Sequence, residues 1–189
     1  MATAWFVTHP EAAIDPAVPV PDWGLSAEGH RRAALLAAQP WVGGLAAVFS
    51  SAERKARETA TPLGLPVRVR AALGENDRSA TGYLPRAEFE ATADRFFASA
   101  EASIRGWERA VDAQARIVAA VATALAGAPP GDVAIVAHGG VGALLRCHLT
   151  GVAITRAEDQ PPGGGGHLFA FDRATGRLLG PWRRIEDRA

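Results

Sequence analysis

The sequence predicts an α/β protein with a doubly wound, mainly parallel β-sheet and helices on both faces. Short apolar or β-branched runs alternate along the chain with segments of helical periodicity. Most of these runs are apolar at every position, as in strands that are covered on both faces. The 189 residues suffice for one full hydrophobic core, so a single domain over residues 1–189 is expected.

Four segments are predicted as strands of the parallel part of the sheet. They are AWFV (residues 4–7), LAAVF (45–49), the alternating run PVRVR (66–70) and the β-branched run DVAIVAH (132–138). A later stretch, HLFAFDRATGRLLGPW (167–182), is predicted as a closing hairpin with its turn at DRATG.

Helices are predicted between these strands from periodicity and from capping residues. The segment 25–39 has a plausible N-cap at Ser26. The segment 50–63 carries Ser50 and Glu53 at the spacing of a capping box. The remaining predicted helices cover residues 88–100, 106–127 and 139–151, and the last of these begins directly after a strand.

Two of the predicted buried strands end in a histidine. In an open parallel sheet, ligands bind beyond the carboxyl ends of the strands. His9 and His138 are therefore expected to face each other across one crevice, with Ser50 and Ser51 at the same edge. The glycines after His138 open a helix whose free N–H groups can bind an anion. A lone histidine after a strand is usually a structural residue, but this pair favours a phosphate pocket with one imidazole as nucleophile.

Composition excludes several other classes of protein. Twenty basic and twenty acidic residues balance, so no nucleic acid or membrane partner is expected, and local charge must bind any anionic ligand. The single cysteine, Cys147, leaves no disulfide and no thiolate cluster, and the histidines lack metal-ligand spacing. No metal or organic cofactor is therefore expected. The expected partner is a small phosphorylated or anionic molecule, and the expected location is cytoplasmic.

Four motifs, in order along most of the chain, resemble the histidine phosphatase superfamily, which has the phosphoglycerate mutase-like fold. They are VTHPE after the first strand, WGLSAEGHRRAALLA in the first helix, VFSSAERKARETA after the second strand, and AIVAHGGVGALLRCHLTG at the fourth strand. The resemblance implies a metal-independent phosphatase in which a histidine attacks phosphorus. Water then cleaves the resulting phosphohistidine.

The resemblance also implies roles for individual residues. His9 corresponds to the nucleophile, and His138 to the second histidine, which stabilises the transferring phosphoryl group. Gly139 lies at the helix start, where its N–H would contact the phosphate. Glu75 corresponds to the acid that protonates the leaving oxygen, and Asp77 is the alternative.

The chain departs from the family pattern at the groups that hold the phosphate. Thr8 replaces an arginine, Pro10 replaces a glycine, and Asp15 replaces a frequent asparagine. Lys55, the only lysine in the chain, occupies the second arginine position. An ammonium group cannot bind phosphate through two parallel hydrogen bonds as a guanidinium does. By analogy with a lost charge-stabilising donor, such a loss costs about 3–4 kcal/mol of transition-state stabilisation unless something compensates.

The segment after Glu75 is the predicted source of compensation. Arg78 is predicted to bind the substrate together with Thr8, Lys55 and Gly139. The alternative interpretation is a surface loop whose charges pair with one another. The stretch of about 75–105 is the candidate lid over the site.

Two functions are compatible with these residues. The leading hypothesis is a phosphoric monoester hydrolase that acts on a small phosphorylated metabolite through a phosphohistidine on His9. The second is a catalytically weak or inactive module that binds phosphate or another anion on the same fold, which the replaced arginines favour. A different ester or acid-anhydride reaction is a third alternative.

Overall fold

A computed structural model describes residues 2–187 of the chain and shows one six-stranded sheet. Its strands are β1 (Thr3–Thr8), β2 (Leu45–Ser50), β3 (Val67–Val69), β4 (Asp132–Ala137), β5 (His167–Asp172) and β6 (Arg183–Arg184). The order across the sheet is β3-β2-β4-β1-β5-β6. The first four strands run parallel, and β5 lies antiparallel to both β1 and β6. The predicted mainly parallel sheet is confirmed.

Five α-helices connect these strands. They are α1 (Ala27–Ala37), α2 (Arg54–Ala60), α3 (Arg86–Ala98), α4 (Ala110–Ala126) and α5 (Gly139–Thr150). Short 3-10 helices lie at Val20–Asp22, Pro40–Gly44, Thr61–Leu63, Ala71–Leu73 and Arg156–Glu158. The longest helix, α4, has 17 residues. Between residues 2 and 187, no helix has both the length and the apolar character that a membrane crossing requires.

The core divides into two layers because consecutive strand residues point to opposite faces of the sheet. Phe6 of β1 belongs to one buried cluster, which packs beneath α3, α4 and α5. Val7, the next residue, belongs to a second cluster, which packs beneath α1 and α2. Helices therefore cover both faces, as predicted.

Two predicted helix starts are wrong. The helix predicted over 50–63 begins at Arg54, because Ser50 belongs to β2 and its hydroxyl bonds Ser51 O. The helix predicted over 106–127 begins at Ala110, because Gly106 has a left-handed φ of 82°, which a helix cannot contain. The Ser26 N-cap of α1 is confirmed, since its hydroxyl accepts the Gly29 N–H at 3.0 Å.

Arg32 of α1 ties that helix to a glycine-rich segment and to the C-terminal part of the chain. Its buried guanidinium donates to the carbonyl oxygens of Gly165 and Gly166 at 3.1 and 3.0 Å. It also donates to both carboxylate oxygens of Glu186, each at 3.1 Å. The Gly166 N–H in turn donates to the His9 carbonyl at 2.9 Å, so the buried arginine supports the backbone next to His9.

Candidate active site

The carboxyl ends of β1, β2 and β4 bring the predicted site residues together. His9, Ser51 and His138 each follow the last residue of one of these strands. The imidazole rings of His9 and His138 lie edge to face, with ring centroids 5.2 Å apart. The His9 N–H donates to the Ala137 carbonyl at 3.2 Å, which continues the β1–β4 ladder past the end of β1.

The His9 ring is held in one orientation. Its Nδ1 lies 2.8 Å from the carbonyl oxygen of Pro10, so Nδ1 carries the proton and Nε2 keeps its lone pair. Burial, together with the positive charges of a protonated His138 and of Lys55, lowers the pKa of His9 to about 3, although the Pro10 carbonyl and the Glu53 carboxylate oppose this shift. A neutral imidazole with an unprotonated Nε2 is the form that acts as a nucleophile.

The ring nitrogens of His9 are expected to show no titration between about pH 5 and pH 8, because the folded protein keeps this imidazole neutral. A two-dimensional proton–nitrogen NMR titration measures this directly, and it also distinguishes the Nδ1–H tautomer from the Nε2–H tautomer. The spectrum of a His9→Gln variant assigns the resonances. A midpoint near the ordinary histidine value of about 6.5 would contradict the burial argument.

His138 is fully buried and connects β4 to the loop after β2. Its Nε2 lies 2.7 Å from the Ser51 hydroxyl oxygen and 3.3 Å from Glu53 Oε1. Burial lowers the pKa of His138, whereas the carboxylates of Glu53 and Glu75 oppose that shift. Its Nδ1 is buried without a hydrogen-bond partner among residues 2–187.

Glu53 is a site residue that the sequence analysis missed. Its Oε1 accepts the Glu75 N–H at 3.0 Å, and its Oε2 accepts a hydrogen bond from the Lys55 ammonium at 2.5 Å. Burial by itself would raise the pKa of Glu53, but His138, Lys55 and these hydrogen bonds hold the pKa at about 2. Glu53 is therefore an ionised carboxylate at the centre of the cluster. Its spacing from Ser50 had predicted a helix-capping role instead.

Lys55 lies inside the site and not on a solvated helix face. Its side chain is 4% exposed. Besides Glu53, its ammonium donates to the Val20 carbonyl at 2.9 Å. The positive charge of Lys55 acts on both His9 and His138. The structure thus places the only lysine beside the two histidines, and its contact with phosphate stays a prediction.

Glu75 occupies the N-terminus of α5, which was predicted to bind the ligand anion. Its carboxylate oxygens accept the N–H groups of Gly140 and Val141 at 3.1 and 3.0 Å. A Cβ at position 140 would lie 2.7 Å from Glu75 Oε1, so only glycine admits this approach. Asp77, the alternative acid, is exposed and accepts the Ser79 N–H at 2.8 Å. Glu75 is the better placed of the two.

Arg78, within the candidate lid, contacts Glu75 and two aromatic rings. Its guanidinium nitrogen lies 3.8 Å from Glu75 Oε2. The same guanidinium lies over the rings of Phe89 and Trp107, at 5.1 and 5.5 Å from their centroids. Trp107 is buried and donates to the Thr81 hydroxyl at 2.8 Å. Arg78 therefore connects Glu75 to Phe89 within the segment 75–105 and to Trp107 just beyond it, and the movement of that segment as a lid stays a prediction.

Two residues that the sequence analysis predicted to stand in for phosphate-binding groups bond to the protein itself. Thr8 is buried, and its hydroxyl accepts the His167 N–H at 3.0 Å and donates to Gln160 Oε1 at 2.6 Å. Asp15 is exposed and accepts the Ala17 N–H at 3.0 Å in a local turn. Gln160 carried no signal in the sequence, because it stands in a proline- and glycine-rich loop without periodicity.

Comparison with known proteins extends over nearly the whole chain. The profile of the histidine phosphatase superfamily (branch 1) matches residues 5–167. No curated protein matches the chain. Among solved structures, the Bacillus stearothermophilus protein YhfR superposes with a TM-score of 0.78 at 21% identity, over 98% of this chain and 100% of that one.

A mycobacterial glucosyl-3-phosphoglycerate phosphatase superposes equally well. In its complex with inorganic phosphate the TM-score is 0.76 at 24% identity, over 99% of this chain and 100% of that one. In its native structure the TM-score is 0.72 at 25% identity, over 96% of each chain. The predicted phosphoglycerate mutase-like fold is confirmed by these superpositions.

Proposed function

The chain belongs to the histidine phosphatase superfamily, and from that membership we propose that it is a phosphohydrolase acting through a phosphohistidine on His9. The observation that carries the proposal is the His9 imidazole, which is neutral, is fixed through Nδ1 by Pro10, and lies against His138. The family supports phosphatase chemistry, and a neutral imidazole with a free Nε2 is the form that a histidine nucleophile needs.

The proposed reaction has two steps. In the first, His9 Nε2 forms a bond to phosphorus while the bond from phosphorus to the leaving oxygen breaks. Glu75 is the proposed donor of the proton that the leaving oxygen takes up. In the second, water attacks phosphorus with Glu75 as base, which releases phosphate and restores neutral His9.

Lys55, Arg78 and His138 are the proposed groups that hold the charge on the phosphoryl oxygens. Each of the three is buried or partly buried at the carboxyl edge of the sheet, where a charged group interacts strongly with its neighbours. The proposed substrate is a small phosphomonoester. The name of the mycobacterial phosphatase includes one such compound, glucosyl-3-phosphoglycerate. The structural similarity to that enzyme supports the reaction type for this chain and not that substrate. A cytoplasmic location stays a prediction from composition.

A second candidate function is a weakly active module that binds an anion. Two carboxylates favour it: Glu53 pairs with Lys55, and Glu75 fills the N-terminus of α5. In such a module these two carboxylates would compete with the ligand for the groups that should bind it.

Rapid-quench mass spectrometry of the intact protein tests the proposal. The protein is mixed with excess p-nitrophenyl phosphate and quenched under mildly alkaline conditions that preserve a phosphoramidate. We expect one added phosphate that maps to His9, together with released nitrophenol. A folded protein that gives neither the adduct nor nitrophenol would exclude the phosphohydrolase and favour the binding module.

A further inference from the structure

We propose that the side-chain amide of Gln160 donates a hydrogen bond to a phosphoryl oxygen of the substrate, and that it thereby replaces the arginine missing at position 8. This inference rests on the proposed function, because it assigns a substrate-binding residue to the same site. Three observations support it: the contact of Gln160 with Thr8, its contact with Gly139, and the carboxylate partners that the nearby cations already have.

The contact with Thr8 sets the direction of the amide. The Thr8 hydroxyl accepts the His167 N–H at 3.0 Å, and Gln160 Oε1, at 2.6 Å, is the nearer of the two acceptors for its proton, the other being the His167 carbonyl at 3.2 Å. Because the carbonyl end of the amide faces Thr8, its NH₂ group points away from Thr8. Thr8 directly precedes His9, so the short hydroxyl at position 8 anchors an amide beside the nucleophile.

The contact with Gly139 places the amide nitrogen over the start of α5. A Cβ at position 139 would lie 2.3 Å from Gln160 Nε2, so the amide occupies space that any other residue would fill. Within the part of the chain that the structure describes, Nε2 donates to no protein acceptor, whereas Oε1 is bonded to Thr8. The site therefore contains a positioned donor without a partner, between the strand ends that carry His9 and His138.

The pairing of the cations explains why such a donor matters. Lys55 donates to Glu53, and Arg78 lies near Glu75, so both cations already have carboxylate partners. Gln160 Nε2 has none, and it can bind an oxygen atom without first breaking a contact. A fixed donor of this kind costs no reorganisation when charge develops on the phosphoryl oxygens.

Two substitutions at position 160 test the assignment. Gln160→Leu removes the donor at similar volume, and Gln160→Glu retains the shape but replaces the NH₂ with a second acceptor oxygen. We expect kcat/KM for p-nitrophenyl phosphate to fall by about 100-fold in Gln160→Leu, and further in Gln160→Glu. The affinity for orthovanadate, which mimics the transferring phosphoryl group, should fall with it. Gln114→Leu is the matched control, since Gln114 bonds Leu144 O on α5.

A rescue variant separates substrate binding from local packing. Thr8→Arg in a Gln160→Ala background places a guanidinium in the vacated space, and should recover most of the lost orthovanadate affinity. Thr8→Arg alone should not raise that affinity, because Gln160 fills the space. A Gln160→Leu variant with unchanged kcat/KM and orthovanadate affinity would overturn the assignment.

Failure of the proposed function has a different signature. If the wild-type protein forms no phosphohistidine, turnover cannot report on Gln160, but orthovanadate binding followed by calorimetry still does. Weaker binding in Gln160→Leu than in the wild type then supports the assignment, and equal binding overturns it. The two hypotheses are therefore tested separately.

Discussion

Replacing His9 with alanine is expected to lower kcat/KM for p-nitrophenyl phosphate by about 10⁴-fold or more, to near the uncatalysed rate. The reason is chemical: the variant lacks the Nε2 that forms the bond to phosphorus, and the neighbouring His138 is fully buried with its Nε2 bonded to Ser51. The phosphate adduct should disappear from the intact-mass spectrum at the same time. Steady-state release of nitrophenol and the mass spectrum measure the two effects.

The matched control for this experiment is His148→Ala, which removes an exposed histidine from the last turn of α5. That variant should retain the wild-type rate. Unfolding curves of both variants establish that the active-site change leaves the fold intact. If His9→Ala turns over the substrate as fast as the control does, the phosphohistidine mechanism is excluded.

Replacing Arg32 with alanine is expected to destabilise the protein by about 2–4 kcal/mol, because it removes a buried guanidinium that donates to two backbone carbonyls and to Glu186. The guanidinium side chain is 4% exposed and contacts Gly165 O, Gly166 O and Glu186. Its removal leaves the Gly165 carbonyl without its donor and takes one donor from the Gly166 carbonyl, which keeps the Ile185 N–H, and from Glu186, which keeps Arg184. Urea unfolding followed by circular dichroism measures the change in the free energy of unfolding.

Arg31→Ala is the matched control, because Arg31 is the preceding residue on the same helix and forms an exposed pair with Glu28. An exposed pair contributes little, so this variant should stay within about 0.5 kcal/mol of the wild type. Equal stability of the two variants would contradict a structural role for the buried guanidinium.

The sheet and the two histidines were predictable from the sequence because their signals are local. The run at 4–7 is apolar throughout, the run at 132–138 is apolar between Asp132 and His138, and a polar residue follows each apolar stretch. That pattern gives both the buried strands and their carboxyl ends. His9 and His138 then follow from position alone, since each comes directly after such a strand.

Glu53, Gln160 and Arg32 were not predictable, because their roles depend on contacts distant in sequence. Gln160 bonds Thr8 across 152 positions, and Arg32 bonds Glu186 across 154. Locally, Glu53 has the spacing of a helix cap and Arg32 looks like one charge among several on an amphipathic helix. Only the folded chain brings these residues to the partners that define their roles. The late start of α4 was missed for a different reason, the left-handed backbone at Gly106.

The pairing of charges around the two histidines determines how a substrate reaches them. Glu53 and Glu75 balance Lys55 and Arg78, and both imidazoles have lowered pKa values. These four charges therefore give an approaching phosphate ester no net attraction, and we expect the rate of its capture to depend little on ionic strength. Discrimination between anions must then arise after encounter, in how long each one stays bound.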